Sequence, residues 1–204
     1  MIQVFDCDQN SDEWALARCG IPTASAFKDV LAKGEGKMRK TYMLKLAGEI
    51  ITGQPSESYS NAHMERGHEM EDEARELYAF SNGVQPARVG FVRNGNVGCS
   101  PDSLIGETGG LEIKTALPHI QIDRILRGTL PSEHRAQVQG TLWVTEREFW
   151  DFASYWPSLP LFTIRVHRDE TFIKTLADEV DRFNEELAGV VEKVRQYGTL
   201  PAAA

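Results

Sequence analysis

The residues best suited to chemistry in this 204-residue sequence are Pro101-Asp102 and, after nine intervening residues, Glu112-Ile113-Lys114. Side chains alternate along an extended strand, so Glu112 and Lys114 share a face about 6.5–7 Å apart, while Ile113 turns to the other side, toward a core. If a hairpin brings Asp102 alongside, two carboxylates converge and repel one another unless a cation joins them. Oxygen donors alone suit magnesium or manganese, not zinc. The same residues also admit a plainer reading, a solvent-facing Glu112–Lys114 pair on an edge strand.

A third carboxylate can come from the stretch Met64–Arg75. Wound as a helix, it gathers Gly67, Met70, Ala74, Leu77 and Tyr78 into an apolar stripe. Glu71 borders that stripe beside Ala74 and Tyr78, Glu73 borders the opposite edge, and Glu69, Asp72 and Glu76 point toward water. A solvated acidic face is the alternative for this segment. His63 and His68, five apart, do not share a helical face and are read as non-ligands. Cys7, Cys19 and Cys99 form no C-x-x-C pair, so they are read as reduced thiols, too few and too scattered for a zinc or iron–sulfur site.

The elements that must position these residues follow from punctuation and period. Ser11, with Asp12-Glu13 behind it, caps a short helix that Gly20-Ile21-Pro22 ends. Thr23 or Ser25 caps a second helix through about Ala32, followed by the basic loop Lys33–Lys37. A third helix spans about Met38–Ile51, stopped by Thr52-Gly53-Gln54-Pro55, and after the polar loop Ser56–Ser60 a fourth runs from about Asn61 to Phe80. Ala87–Arg93 and Val97–Ser100, joined at Asn94-Gly95-Asn96, read as a hairpin. Thr108-Gly109-Gly110 reads as a turn into the strand Leu111–Thr115. Two shorter helices, about His119–Leu126 and Glu133–Trp143, precede strands at Glu148–Tyr155 and Leu161–Val166. From Phe172 to Val194 apolar residues recur at three and four, a long amphipathic C-terminal helix, before a frayed tail at Leu200–Ala204. With no repeat and no linker, residues 1–204 read as a single α/β domain.

Composition restricts the function. At 41% hydrophobic and 25% charged the chain is an ordinary globular one, and it has neither an apolar run long enough for a membrane span nor a signal-like N-terminus. No membrane association and a cytoplasmic location are expected. The net charge of −8 runs against DNA binding, yet it is unevenly spread. Arg18, Lys28, Lys33, Lys37, Arg39, Lys40 and Lys45 face only Asp29 and Glu35 within residues 18–45, a local +5 that leaves −13 for the remainder. The basic run reads either as a solvated face or as a nucleic-acid surface.

Taken together, Arg18-x-Gly20-Ile21-x-Thr23-Ala24-Ser25, Gly67-x-x-x-Glu71, Cys99-Ser100-Pro101-Asp102, Leu111-Glu112-x-Lys114 and Ala136-Gln137-Val138-Gln139 resemble, in order and spacing, the phage lambda exonuclease family. These YqaJ-like viral recombinases belong to the PD-(D/E)xK nucleases, and the likeness extends through Trp143-Val144-Thr145 and the final helix. The resemblance implies a restriction-endonuclease-like core, a central mixed β-sheet flanked by helices. It implies a magnesium-dependent 5′→3′ exonuclease that degrades one strand of linear double-stranded DNA from 5′-phosphorylated ends. Such an enzyme releases mononucleotides and leaves 3′ single strands for an annealing protein of the same phage recombination system. It also implies a ring-shaped homotrimer, in which the acidic net charge is no obstacle if the basic 18–45 region lines the channel. Asp102 and Glu112 would ligate the metal with the Ile113 backbone carbonyl, and Glu71 would complete the site, through water if not directly. Two Mg2+ ions per site are expected, with Mn2+ able to substitute, and Lys114 would position or deprotonate the attacking water. Arg18, Ser25, Ser100 and Gln137 would hold the terminal 5′-phosphate, while Gln139 carries no assigned role. His134-Arg135 is more basic than the family pattern at that place. Two other readings stand beside this one, a structure-specific or restriction-type endonuclease on the same metal core and a non-catalytic DNA-end-binding module.

Overall fold

Short apolar stretches punctuated by glycine and proline make the strands of this chain, and longer amphipathic ones make its helices. The computed structural model describes them for residues 1–32, 37–56 and 62–198. The strands are β1 (Ile2–Phe5), β2 (Phe91–Asn94), β3 (Val97–Cys99), β4 (Ser103–Ile105), β5 (Gly109–Thr115), β6 (Phe149–Tyr155) and β7 (Phe162–His167). The helices are α1 (Asp12–Ala17), α2 (Phe27–Val30), α3 (Lys37–Thr52), α4 (Ala62–Asn82), α5 (Pro118–Arg127), α6 (Arg135–Thr145) and α7 (Glu170–Arg195). The loops expected at 33–36 and 57–60, the tail at 200–204 and the side chains of His63 and His68 lie outside the described residues. Among the described residues no helix is long and apolar enough to cross a membrane.

The strands form two sheets. β1, β2 and β3 make an antiparallel one. The other, β4-β5-β6-β7, is mixed: β4 and β7 run antiparallel to their neighbours, and the central pair β5–β6 is parallel. A parallel neighbour requires a crossover, and α5 and α6 supply it. α4 covers one face of this sheet, its Ala74 and Tyr78 packing on Leu111, Ile113, Ala153 and Tyr155. α6 lies on the other face, Val138 and Leu142 against Trp150 and Phe152. α7 closes a third apolar cluster with α2 and α3, in which Leu176, Val180, Phe183 and Leu187 meet Phe27 and Leu46. The mixed sheet flanked by helices and the long C-terminal helix are as the sequence implies.

Several local expectations give way. The segment after Thr23 is a 3-10 turn at Ala24–Ala26 and one turn of α2, with no side-chain cap bond from Thr23; Thr23 Oγ1 meets Ser25 Oγ at 3.3 Å instead. Gly109 and Gly110 are the first residues of β5, not a turn. A Cβ at Gly109 would stand 2.1 Å from the Phe149 ring, and one at Gly110 2.2 Å from Trp150, so these glycines make room for aromatic packing. Ala87 bridges Leu104, and the strand itself starts only at Phe91. β1 and β4 answer to no expected strand.

Candidate active site

Alternation along β5 sorts its residues. Leu111 and Ile113 enter the α4 cluster, while Glu112, 2% exposed, faces α6. Pairing of Ser103 with Leu111 brings the preceding residue level with this pair, and Asp102 Oδ2 accepts a hydrogen bond from the Ile113 backbone N–H at 2.6 Å. The turn between β4 and β5 is therefore the device that converges Asp102 on Glu112. Lys114 Nζ lies 2.5 Å from Glu112 Oε1, which also accepts from Gln137 Nε2 of α6 at 2.6 Å.

The other wall comes from the chain reversal after α1. Gly20, at φ +75°, turns the backbone back, its N–H bonded to the buried Glu49 carboxylate at 2.8 Å; Ile50 closes in where a Cβ would stand. Arg18 thus sits at the end of α1 and Ser25 on the following 3-10 turn. A cavity of about 180 Å³ is lined jointly by Arg18, Ser25, Ser100, Asp102, Glu112, Lys114 and Gln137. Glu71 is not among these; it lines a neighbouring cleft of about 600 Å³ that meets the first at Asp102.

The electrostatics follow from packing carboxylates together. Burial, then Glu112 and Glu71, push the Asp102 carboxyl well above the usual aspartate range, against the pull of Lys114 and the Ile113 N–H. Burial alone would lower Lys114, but Glu112, Asp102 and Glu71 outweigh it and hold the ammonium above its ordinary value. Burial also keeps Cys99 a thiol, with Glu112 adding to the effect. All three cysteines are free. On the far wall burial lowers Arg18, which forms no ion pair among the described residues.

A divalent cation fits the donor chemistry. The buried Glu112 and the half-buried Asp102, whose carboxyl Glu112 helps to hold above its usual range, offer hard oxygen ligands beside the backbone carbonyl of Ile113. No cage of three acidic, histidine or cysteine side chains stands ready among the described residues. Glu71 is turned onto Arg75, Nη2 to Oε1 at 2.5 Å.

Two residues that the sequence reading left out belong to the site. Trp14 donates from Nε1 to Ser100 Oγ at 2.8 Å, and the Arg18 guanidinium lies 4.1 Å over its ring. Arg75, 8% exposed, links Glu71 to the start of β4. Each stands four residues from a residue that was singled out, Trp14 from Arg18 and Arg75 from Glu71, and that helical spacing was the available signal. Gln139 is structural: its amide donates to the His167 carbonyl and accepts from the Asp169 N–H, both at 2.9 Å, tying α6 to the start of α7. Arg135 pairs with Asp169 at 2.7 Å, and His134 packs on Phe152 and meets Arg124 at 3.1 Å.

The chain is similar to known proteins in sequence and fold. The YqaJ-like viral recombinase domain matches residues 13–148. The alkaline exonuclease LHK-Exo from Laribacter hongkongensis superposes with a TM-score of 0.84 at 33% identity, over 93% of this chain and 98% of its own. The complex of LHK-Exo with dAMP gives 0.85 at 34% identity with the same coverage. A phage-related exonuclease from Haemophilus somnus 129PT, 13% identical over 85% of this chain and 96% of its own, shares the fold with a TM-score of 0.64. No curated protein sequence matches.

Proposed function

The chain belongs to the YqaJ-like viral recombinase family and is a nuclease, and on that premise we propose that it is a single-domain, magnesium-dependent 5′→3′ exonuclease. It degrades one strand of linear duplex DNA from 5′-phosphorylated ends and releases mononucleotides. The 3′ single strand left behind is the substrate of a single-strand annealing protein. The observation that carries this reading is the meeting of Arg18, Ser25 and Ser100 with Asp102, Glu112 and Lys114 around one small cavity. A site that grips a phosphate and a site that binds cations within one nucleotide's reach suit removal of a terminal nucleotide better than cutting within a strand. The dAMP bound to LHK-Exo is a product of that class.

Asp102 and Glu112, with the Ile113 carbonyl, would hold Mg2+ or Mn2+, and Glu71 would join through water. A pair of ions held by these residues would supply an activated water and neutralise charge on the phosphate and the departing 3′ oxygen. Lys114 Nζ, kept protonated by its carboxylates, orients the attacking water and adds positive charge at the phosphate. Arg18 offers a planar fork to the terminal phosphate, and the Ser25 and Ser100 hydroxyls add donors. Gln137, which donates to Glu112 and lines the same cavity, would turn its amide to the terminal phosphate. Lys28, Lys37, Lys40 and Lys45 are all exposed, which suits a DNA-facing lining in a homotrimeric ring and reconciles the basic stretch with a net charge of −8.

Linear and covalently closed circular duplex, incubated side by side with Mg2+, test this reading. Release of acid-soluble nucleotide from the linear form alone is expected, and Lys114→Ala should abolish it. Cutting of the closed circle would transfer the site to an endonuclease, and binding of 5′-phosphorylated ends without hydrolysis to an end-binding module.

A further inference from the structure

The geometry points to Arg75 as a positioning residue that fixes Glu71 of α4 against Asp102 at the head of β4, and so sets the acidic half of the metal site before an ion arrives. The inference rests on the metal-site reading above.

Arg75 sits mid-helix on the face where Ala74 and Tyr78 are fully buried, and a guanidinium there loses its hydration. Its fork is used on two elements at once. Nη1 donates to Asp72 at 2.6 Å and Nη2 to Glu71 at 2.5 Å, both on its own helix. Nε donates to Ser103 Oγ at 2.9 Å and Nη2 also faces the Asp102 carbonyl at 3.4 Å, both at the start of β4. Ser103 Oγ in turn donates to the Asp102 carbonyl at 2.5 Å, so the backbone beside the metal carboxylate is held twice.

Charge neutrality alone does not call for the whole arrangement. Asp72 and Glu71 together balance Arg75 and Arg88. The β4 contacts go beyond that need, and they join the helix carrying Glu71 to the strand carrying Asp102. A planar five-donor fork can do this; a lysine, a point charge on a flexible stem, cannot. Partners that orient ligands from outside the coordination shell typically carry about 10–100-fold in metal affinity.

The test is a calorimetric titration of Mn2+ into the DNA-free protein, comparing wild type with Arg75→Lys, Ser103→Ala and Arg88→Gln. Mn2+ affinity is expected to fall about tenfold or more in Arg75→Lys. Ser103→Ala, which keeps the Glu71 pair but frees the Nε contact, should fall less and in the same direction. Arg88→Gln, which removes the bond to Asp72 and leaves every hydrogen bond of Arg75 in place, should bind close to wild type. In the nuclease assay the Mn2+ concentration at half-maximal rate should rise in parallel, with the saturated rate largely recovered, which a merely loosened fold would not allow. Wild-type affinity in a folded Arg75→Lys, or an equal loss in Arg88→Gln, would overturn the inference. Should Arg75→Lys fail to fold, unchanged affinity in Ser103→Ala overturns it instead. If wild type itself takes up no Mn2+, the metal-site reading falls and takes this inference with it; normal wild-type binding with unaffected variants removes this inference alone.

Discussion

The two walls of the cavity meet their charges differently. On the β4–β5 wall three carboxylates meet two cations: Lys114 lies on Glu112 and Arg75 on Glu71, while Asp102 takes the Ile113 N–H and shares the field of Lys114. On the α1 wall Arg18 has an aromatic ring and no ion pair among the described residues. The first wall is mostly paired and still short of one positive charge, and a metal cation entering there must compete with Lys114 and with protons. The second holds a partly desolvated guanidinium that a bound anion would relieve. A terminal phosphate held by one wall with its scissile bond at the other would use both.

The largest effects should come from changing the charges of the acidic wall. Asp102→Asn and Lys114→Met should each reduce nuclease activity by at least about 10²–10³-fold. Their effects on metal-free stability should have opposite signs. Asp102→Asn removes a buried like-charge repulsion and keeps the acceptor for Ile113, so melting should shift upward. Lys114→Met leaves Glu112 and Asp102 without their cation, and a loss of about 1–3 kcal/mol is expected, reduced by the 32% exposure of the Lys114 side chain. Shifts of the same sign in urea or thermal melts would break the comparison.

Arg18→Ala tests the unpaired wall. The rate on 5′-phosphorylated ends should fall by about 10–100-fold, as expected for charge-assisted hydrogen bonds, with little change on 5′-hydroxyl ends. An unchanged ratio of the two rates would remove Arg18 from end recognition. Trp14→Phe sharpens the same point: the ring under Arg18 stays, the bond to Ser100 goes, and the phosphate preference should drop roughly 3- to 10-fold.

The smallest effect on activity should come from His134, behind the metal wall. Burial, with Lys114 and Arg124 nearby, lowers its pKa to about 4. A folded pKa below the unfolded 6.5 means that the unfolded chain takes up the proton first as pH falls. Stability from this group is therefore complete above about 6.5 and is lost progressively toward pH 4, by about 2–3 kcal/mol in all. His134→Gln should flatten the stability profile between those values and leave the rate at neutral pH nearly unchanged.

Much of this was legible in the sequence, for physical reasons that also explain the gaps. The clear period of α7 and the alternation of β5 follow from one buried face or from strict inside–outside sorting. Asp102, Glu112 and Lys114 were legible as a spacing, and Arg18, Ser25 and Ser100 as part of an ordered family pattern; the structure brings all six to one cavity. β1 and β4 were not, because strands of four and three residues carry too few turns of the pattern, and β1 leaves Val4 58% exposed. Gly109-Gly110 reads as a turn unless the Phe149 and Trp150 rings that require it are known. In α4 the expected stripe included Leu77, which is 40% exposed, while the inward face runs through Ala74, Arg75 and Tyr78. Arginine is so often a surface residue that a buried one within a helix leaves no trace in an apolar count.

The most direct test is the first product formed from a linear duplex whose 5′-terminal phosphate carries the label, mixed with excess enzyme and started with Mg2+. The account predicts that label appears as mononucleotide without lag, and not at all with Lys114→Ala. Label appearing first on longer fragments, or release beginning from the 3′ end, would contradict it.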